Sequence, residues 1–174
     1  MALITTPKAA DANSYCSLTD ADDFLINGRT STVTWSTATS QDKEKSLRYA
    51  TYLLDRLFDW KGSVTTNEQA LRWPRSGVVD SDGRIINANT IPAILARATS
   101  EFAVELLKKD RASDNGLLGL GFSEAKVGPI SIKLDTTKGQ ETILTDAIVE
   151  LLTELGETNG KGPSGGRIVK LNRS

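Results

Sequence analysis

Gln69-Ala70-Leu71-Arg72-Trp73-Pro74-Arg75-Ser76-Gly77-Val78-Val79-Asp80-Ser81-Asp82-Gly83-Arg84 lies between two long helical patterns, and its composition is not that of a linker. Linkers are small and polar. This stretch carries a tryptophan fixed against a proline, arginines on both sides of the pair, and glycines at two turn positions. Pro74 fixes its own φ and disfavours helix at Trp73, so the indole leaves the backbone in a defined direction and must find an apolar surface to cover. The expectation is an ordered plug in which Trp73, Pro74, Arg75 and Gly77 form a structural motif that seals the ends of the flanking helices. Ser81-Asp82-Gly83-Arg84 reads as a hairpin tip between Val78-Val79 and Ile85-Ile86.

Upstream, Ser40 reads as the cap of a long helix whose buried stripe is Leu47, Ala50, Leu53, Leu54, Leu57 and Phe58. Lys43, Glu44, Arg48, Asp55 and Arg56 fall largely off that stripe and read as a solvated face; Trp60-Lys61-Gly62 is the expected stop. Downstream, Ile91-Pro92 opens a helix to about Lys109, apolar around much of its circumference through Ile94, Leu95, Ala98, Phe102, Val104, Leu106 and Leu107. It is the expected central helix, with Ala93, Ala96, Ala98 and Ala103 permitting close approach of neighbours.

Nearer the N-terminus, residues 1 to 16 read as an extended lead-in anchored by Tyr15. Thr19 is expected to cap a first helix that Asn27-Gly28 stops, and capping and dipole effects account for Asp20, Asp22 and Asp23 without a metal. Residues 29 to 40 read as a loop with Trp35 turned inward. Past the central helix, Leu117, Leu118, Leu120 and Phe122 sit on a glycine-spaced segment with no phosphate-binding fingerprint. Apolar side chains so presented point to burial at a subunit interface. Alternation over residues 130 to 134 marks a strand, and Thr145 caps a shorter helix with Ile148, Leu151, Leu152 and Leu155 on its stripe.

The fold class read from this pattern is mainly α: a small bundle of about four helices, a short β-strand or hairpin, and extended terminal arms. Residues 1 to 155 form the helical domain, 156 to 166 a flexible glycine-rich tether, and 167 to 174 a C-terminal docking arm. Arg167, Ile168, Val169, Lys170 and Leu171 are the arm's candidate binding residues, because a β-prone segment on such a tether is suited to adding to a partner's sheet or groove.

Composition narrows the function classes. The 174 residues fit one domain and carry a net charge of -1, from 21 Lys+Arg against 22 Asp+Glu, so no overall field drives binding to nucleic acid or membrane. There is one cysteine and no histidine, which removes Ser-His-Asp, Cys-His and zinc-hydrolase mechanisms and leaves no candidate catalytic, metal or cofactor residues. No spacing of carboxylates singles out an acid and a base, and the reading is of a protein that is not an enzyme. No apolar run reaches membrane-spanning length, and residues 1 to 7 lack the charged start and apolar core of a signal peptide, so synthesis in a reducing cytoplasm is expected.

Taken together, Leu47-Arg48-Tyr49-Ala50-Thr51-Tyr52-Leu53-Leu54-Asp55, the 69-to-77 loop, Ile91-Pro92 opening an alanine-rich helix, and Lys126-Val127-Gly128-Pro129-Ile130 before a strand resemble the head-tail adaptor proteins of tailed bacteriophages. These are also called head-completion or connector proteins. The resemblance runs from about Tyr15 to Leu155, and the tryptophan-proline-arginine loop is its most specific part. It implies a ring, commonly of twelve copies, beneath the portal protein in the virion neck. There the ring extends the DNA channel close to packaged double-stranded DNA, without sequence-specific contact, and offers a platform to tail or neck proteins. It implies neither cofactor nor membrane. Relatives are often labelled DnaT-like single-stranded-DNA-binding proteins, which is the alternative function. That alternative calls for exposed aromatics beside a basic groove, for which Trp35, Trp60 and Trp73 are available.

Overall fold

The computed structural model describes residues 2 to 29, 33 to 108, 124 to 127, 130 to 133 and 144 to 159. The fold is mainly α, with short two-stranded sheets braced against its helices.

Helix α1 (Leu18–Asp22) starts at Ser17, not at Thr19, because Ser17 is extended and its hydroxyl accepts a hydrogen bond from the Asp20 amide at 3.1 Å. A π-helical turn, Asp23–Asn27, continues it to Gly28. The segment expected to be a loop contains a short helix, α2 (Val33–Thr37), in which the Thr37 hydroxyl returns to the Val33 carbonyl at 2.9 Å. Trp35 is fully buried, as its isolation among hydroxyl-bearing residues predicts.

Helix α3 (Ser40–Leu57) is capped one residue early by Thr39, whose hydroxyl accepts from the Asp42 amide at 3.2 Å. Leu47, Ala50, Leu53 and Leu54 are buried as the stripe requires. The helix stops at Leu57, short of Trp60, because Phe58 and Trp60 both turn inward while Asp59 turns out, a period-two pattern. These residues form strand β1 (Phe58–Trp60), antiparallel to a strand from the far end of the chain, with Phe58 opposite Thr158 and Trp60 opposite Gly156.

That partner strand, β6 (Gly156–Thr158), moves the boundary of the folded unit: the first three residues assigned to the tether belong to the domain. Gly156 is there for closeness. A Cβ on it would lie 2.8 Å from the Asp59 carbonyl oxygen and 3.1 Å from the Trp60 ring. Asn159 follows, its amide donating to the Leu57 carbonyl at 2.9 Å and its side-chain nitrogen to the Arg56 carbonyl at 2.8 Å, and residues 160 to 166 lie outside the described residues.

Helix α4 (Ala93–Lys108) is central, as expected, packing against α3 and against α5 (Asp146–Leu152). Leu95, Ala98, Phe102 and Ala103 are fully buried, and the alanines leave room for α3 and α5 to pack closely against α4. The Pro92 carbonyl accepts from the Leu95 and Ala96 amides, so the proline opens the helix without losing a bond. Strand β2 (Ser63–Val64), just before the tryptophan loop, pairs with β3 (Arg75–Ser76) inside it. The expected strand at 130 is β5 (Ile130–Lys133), antiparallel to β4 (Glu124–Val127).

Trp73 is 1% exposed and meets Trp60 edge-on at 6.0 Å between ring centroids; Phe58 stacks on the other ring at 5.0 Å. Trp73→Ala empties a site at the junction of loop, strand and helix, so it should cost roughly 3 to 5 kcal/mol, read as a lowered urea midpoint. Trp73→Phe keeps a ring against Trp60 and should lose less; equal losses for the two would contradict the packing role.

Candidate functional site

The tryptophan loop is held from within. Asp55, on α3, accepts from the Tyr15 hydroxyl at 2.5 Å and the Trp60 indole at 3.1 Å on one oxygen, and from the Arg72 amide at 3.1 Å on the other. The Tyr15 hydroxyl in turn accepts from the Trp73 amide at 3.2 Å. One carboxylate thus joins the N-terminal lead-in, α3, β1 and the loop. Gln69 closes the loop's base: its amide oxygen accepts from Thr65 and Thr66, and its nitrogen donates to the carbonyls of Leu71 and Pro74. The peptide bond between Trp73 and Pro74 is cis, and Gly77 has φ +76, with nothing within 4 Å of where its Cβ would be.

Arg75 is consumed by this architecture. Its guanidinium donates to the Lys61 carbonyl at 2.6 Å, the Gly62 carbonyl at 2.7 Å and the Arg72 carbonyl at 3.2 Å. The Arg72 guanidinium reaches the Phe58 carbonyl at 3.5 Å. At the hairpin tip, Arg84 pairs with Asp80 and Asp82, and Val79 bridges to Ile85 as the turn sequence predicts. The signature residues of the sequence therefore build a scaffold, and Trp35, Trp60 and Trp73 are all buried, which takes them away from base stacking. The Trp73 indole nitrogen is buried without a hydrogen-bond partner.

Exposed aromatics occur elsewhere. On α3, Tyr49 and Tyr52 stack at 6.3 Å with ring planes 9° apart, and are 37% and 54% exposed. At 100° per residue, Lys45, Arg48, Tyr49, Tyr52 and Arg56 fall within about 60° of one line along the helix, opposite the stripe of Leu47, Ala50 and Leu54. Arg56 donates to the Tyr52 hydroxyl at 3.1 Å, and Lys45 pairs with Asp42 at 3.6 Å. On sequence alone Arg48 and Arg56 read as a solvated face, a reading in which the tyrosines have no place. Their phase relative to the leucine stripe is the signal that locates them.

A groove of about 710 Å³ runs between α4 and α5. Ile94, Ile148 and Leu151 supply apolar lining, and Glu101, Glu105, Glu150, Glu154 and Arg29 supply charged lining. Arg29 pairs with Glu101, and Lys108 with Glu105 at 2.8 Å. Burial, opposed by Arg29 and assisted by Glu105, raises the Glu101 carboxyl above its usual value.

The three N-terminal aspartates serve structure: Asp20 caps with Ser17, Asp23 accepts from Asn27, and Asp22 accepts from the Trp35 indole and the Lys43 ammonium. Among the described residues no group of His, Cys, Asp and Glu could hold a metal ion, and no helix is long and apolar enough to cross a membrane. Burial pushes the Cys16 thiol up to about 11, which keeps it protonated at neutral pH. Leu117, Leu118, Leu120 and Phe122, and the arm residues Arg167, Ile168, Val169, Lys170 and Leu171, lie outside the described residues.

Fold and surfaces together define a small helical domain braced by an aromatic loop. The whole chain, residues 1 to 174, matches the family described as "Putative DnaT-like ssDNA binding protein", and the chain belongs to that family. No curated protein and no solved structure matches it.

The loop hub sets a pH dependence. Burial first, then the adjacent Asp55 carboxylate, raises Tyr15 well above 10.0, so the folded state keeps a proton that the unfolded chain releases. Its contribution is complete below the unfolded value and is lost as pH rises above about 10. Asp55 is itself raised from 3.8 by burial, against the hydrogen bonds it accepts, so its contribution has the same sign and falls off above that acidic value. Tyr15→Phe leaves the Trp73 amide and one Asp55 oxygen short of a partner, and should cost about 1 to 3 kcal/mol at neutral pH. Urea unfolding should show that gap narrowing roughly one unit above the ordinary tyrosine value, where only the wild type pays for holding the proton.

Proposed function

We propose that this protein is a structural head-tail adaptor of a tailed bacteriophage, forming a ring of about twelve copies beneath the portal. The observation that carries this reading is the fate of the tryptophan-proline-arginine motif, the most specific part of the resemblance. Trp73 is buried, Arg75 is tied to three backbone carbonyls, and the motif serves as internal scaffolding. A domain stiffened in this way suits a role that depends on presenting surfaces. The absence of histidine and the near-balance of charge fit the same role. The ring would join the portal to tail or neck proteins in the virion neck and pass the genome without gripping it.

A second reading, single-stranded-DNA binding, draws support from the family's description and from the stacked Tyr49 and Tyr52 beside Arg48 and Arg56. Tyrosine faces stack on bases, and the neighbouring cations would follow a phosphate chain.

The two readings separate on the full chain and on a version lacking residues 163 to 174. The adaptor reading expects the full chain to co-sediment with portal rings and the truncated chain to melt like wild type yet stay in the supernatant. Ordering a segment costs about 1 to 2 kcal/mol per residue in backbone entropy, so a single arm binds feebly and a ring of arms binds well. Truncated protein that still assembles on the portal overturns the arm's role. Salt-sensitive capture of oligo-dT by the full chain, with no portal binding, replaces the adaptor reading with the second one.

A further inference from the structure

The α3 outer face and the α4–α5 groove carry opposite charge on one molecule. Lys45, Arg48 and Arg56 surround the exposed tyrosines, with Asp42 at the edge already paired to Lys45. The groove sets four glutamates over an apolar lining; Arg29 pairs with Glu101 and Lys108 with Glu105, and Glu150 and Glu154 complete the acidic border. We propose that these are the two halves of one head-to-tail contact: the α3 face of one copy seats in the α4–α5 groove of the next, with Tyr49 and Tyr52 entering it and Arg48 and Arg56 meeting Glu150 and Glu154.

Three observations argue for a second copy as the occupant. Each surface has an apolar centre and a charged border, the arrangement of a protein contact rather than of a bare ion site. The borders are complementary in sign, while the chain as a whole is nearly neutral, so the separation of charge has a matching surface within the same sequence. The surfaces also lie on different helices: α3 turns its tyrosines away from the core it shares with α4, and the groove is bounded by α4 and α5. Two unlike, complementary patches on one subunit make a heterologous interface, which closes into a ring when the rotation between copies allows. The inference rests on the ring-adaptor reading and names the surfaces that would build the ring.

The test is charge reversal, with self-association of the full chain followed by analytical ultracentrifugation over a range of concentrations, without portal. Arg48→Glu/Arg56→Glu and Glu150→Arg/Glu154→Arg should each weaken association by about tenfold or more. An equimolar mixture of the two should recover it, because each altered face then meets its opposite, and the mixture should contain both chains in alternation. Wild-type protein that remains monomeric to its solubility limit, variants that associate like wild type, or a mixture that fails to recover each overturns the proposal. Should a reversal unfold the chain, Arg56→Gln and Glu150→Gln take its place, and both must weaken association. Loss of oligo-dT binding in the α3 variant with self-association intact assigns that face to nucleic acid and likewise overturns it. Portal co-sedimentation is a separate measurement, so failure of the adaptor reading is distinguishable from failure of this interface.

Discussion

One carboxylate holds the structure's least regular part in place. Asp55 collects hydrogen bonds from Tyr15, Trp60 and the Arg72 amide, which come from three separate segments of chain. Removing such a group from water is unfavourable, and burial does raise its proton affinity. Three donors offset that cost, and the geometry they impose is specific: the loop has one way to lie on α3 that satisfies all of them. Tyr15 then passes the constraint on, accepting from the Trp73 amide, so the same network that orients the backbone also delivers the indole to Trp60 and Phe58. Apolar burial supplies the larger stabilisation, and the polar network selects the register in which that burial occurs.

The distribution of cations follows from this arrangement. Arg75 cannot reach outward while its donors hold the carbonyls of Lys61, Gly62 and Arg72, and Lys43 is drawn under the Trp35 ring by Asp22. Arginine next to a tryptophan in a loop invites a nucleic-acid reading, yet here both side chains are occupied in holding the fold. Tyr49 and Tyr52 of α3, by contrast, lie on the side of the helix away from the core and are exposed. The proposed contacts accordingly fall on helical surfaces, which would keep their geometry at little entropic cost when a partner arrives.

The long helices were legible because their apolar residues repeat at helical spacing over several turns, as with Leu47, Ala50 and Leu54 on α3 and Leu95, Ala98 and Phe102 on α4. The hairpin tip at Asp82-Gly83 and the burial of Trp73 were legible from turn chemistry and from the proline beside the indole. What escaped was decided by partners far away in sequence. Phe58 to Trp60 continues the apolar pattern of α3, and only pairing with Gly156 to Thr158 makes it a strand. Gly156 looked like the start of a tether, since nothing local reveals that another backbone lies 2.8 Å from where a Cβ would stand. Asp55 looked like one charge among several on a solvated face, because its donors lie at positions 15, 60 and 72. The tyrosine face could have been read by phase, but two tyrosines amid leucines are easily absorbed into a general impression of apolar helix.

The β1–β6 pairing links the core to the surfaces. It fixes the end of α3 to the residues that follow α5, while α4 packs against both helices, so the tyrosine face and the acidic groove are held in one frame. Lys61 strengthens the joint: its amide donates to the Leu155 carbonyl, and its ammonium to those of Thr153 and Glu154 at 3.0 and 3.1 Å. Glu154 is also part of the groove wall. The chain that leaves the tryptophan loop's anchor therefore grips the segment bearing one of the groove's carboxylates. A disturbance at Trp73 or Asp55 has a short physical path to that wall, through Trp60 and its partner Gly156. Packing in the loop and geometry at the groove are thus two ends of one braced element, which is why so much of the sequence's distinctive chemistry is spent where no partner can touch it.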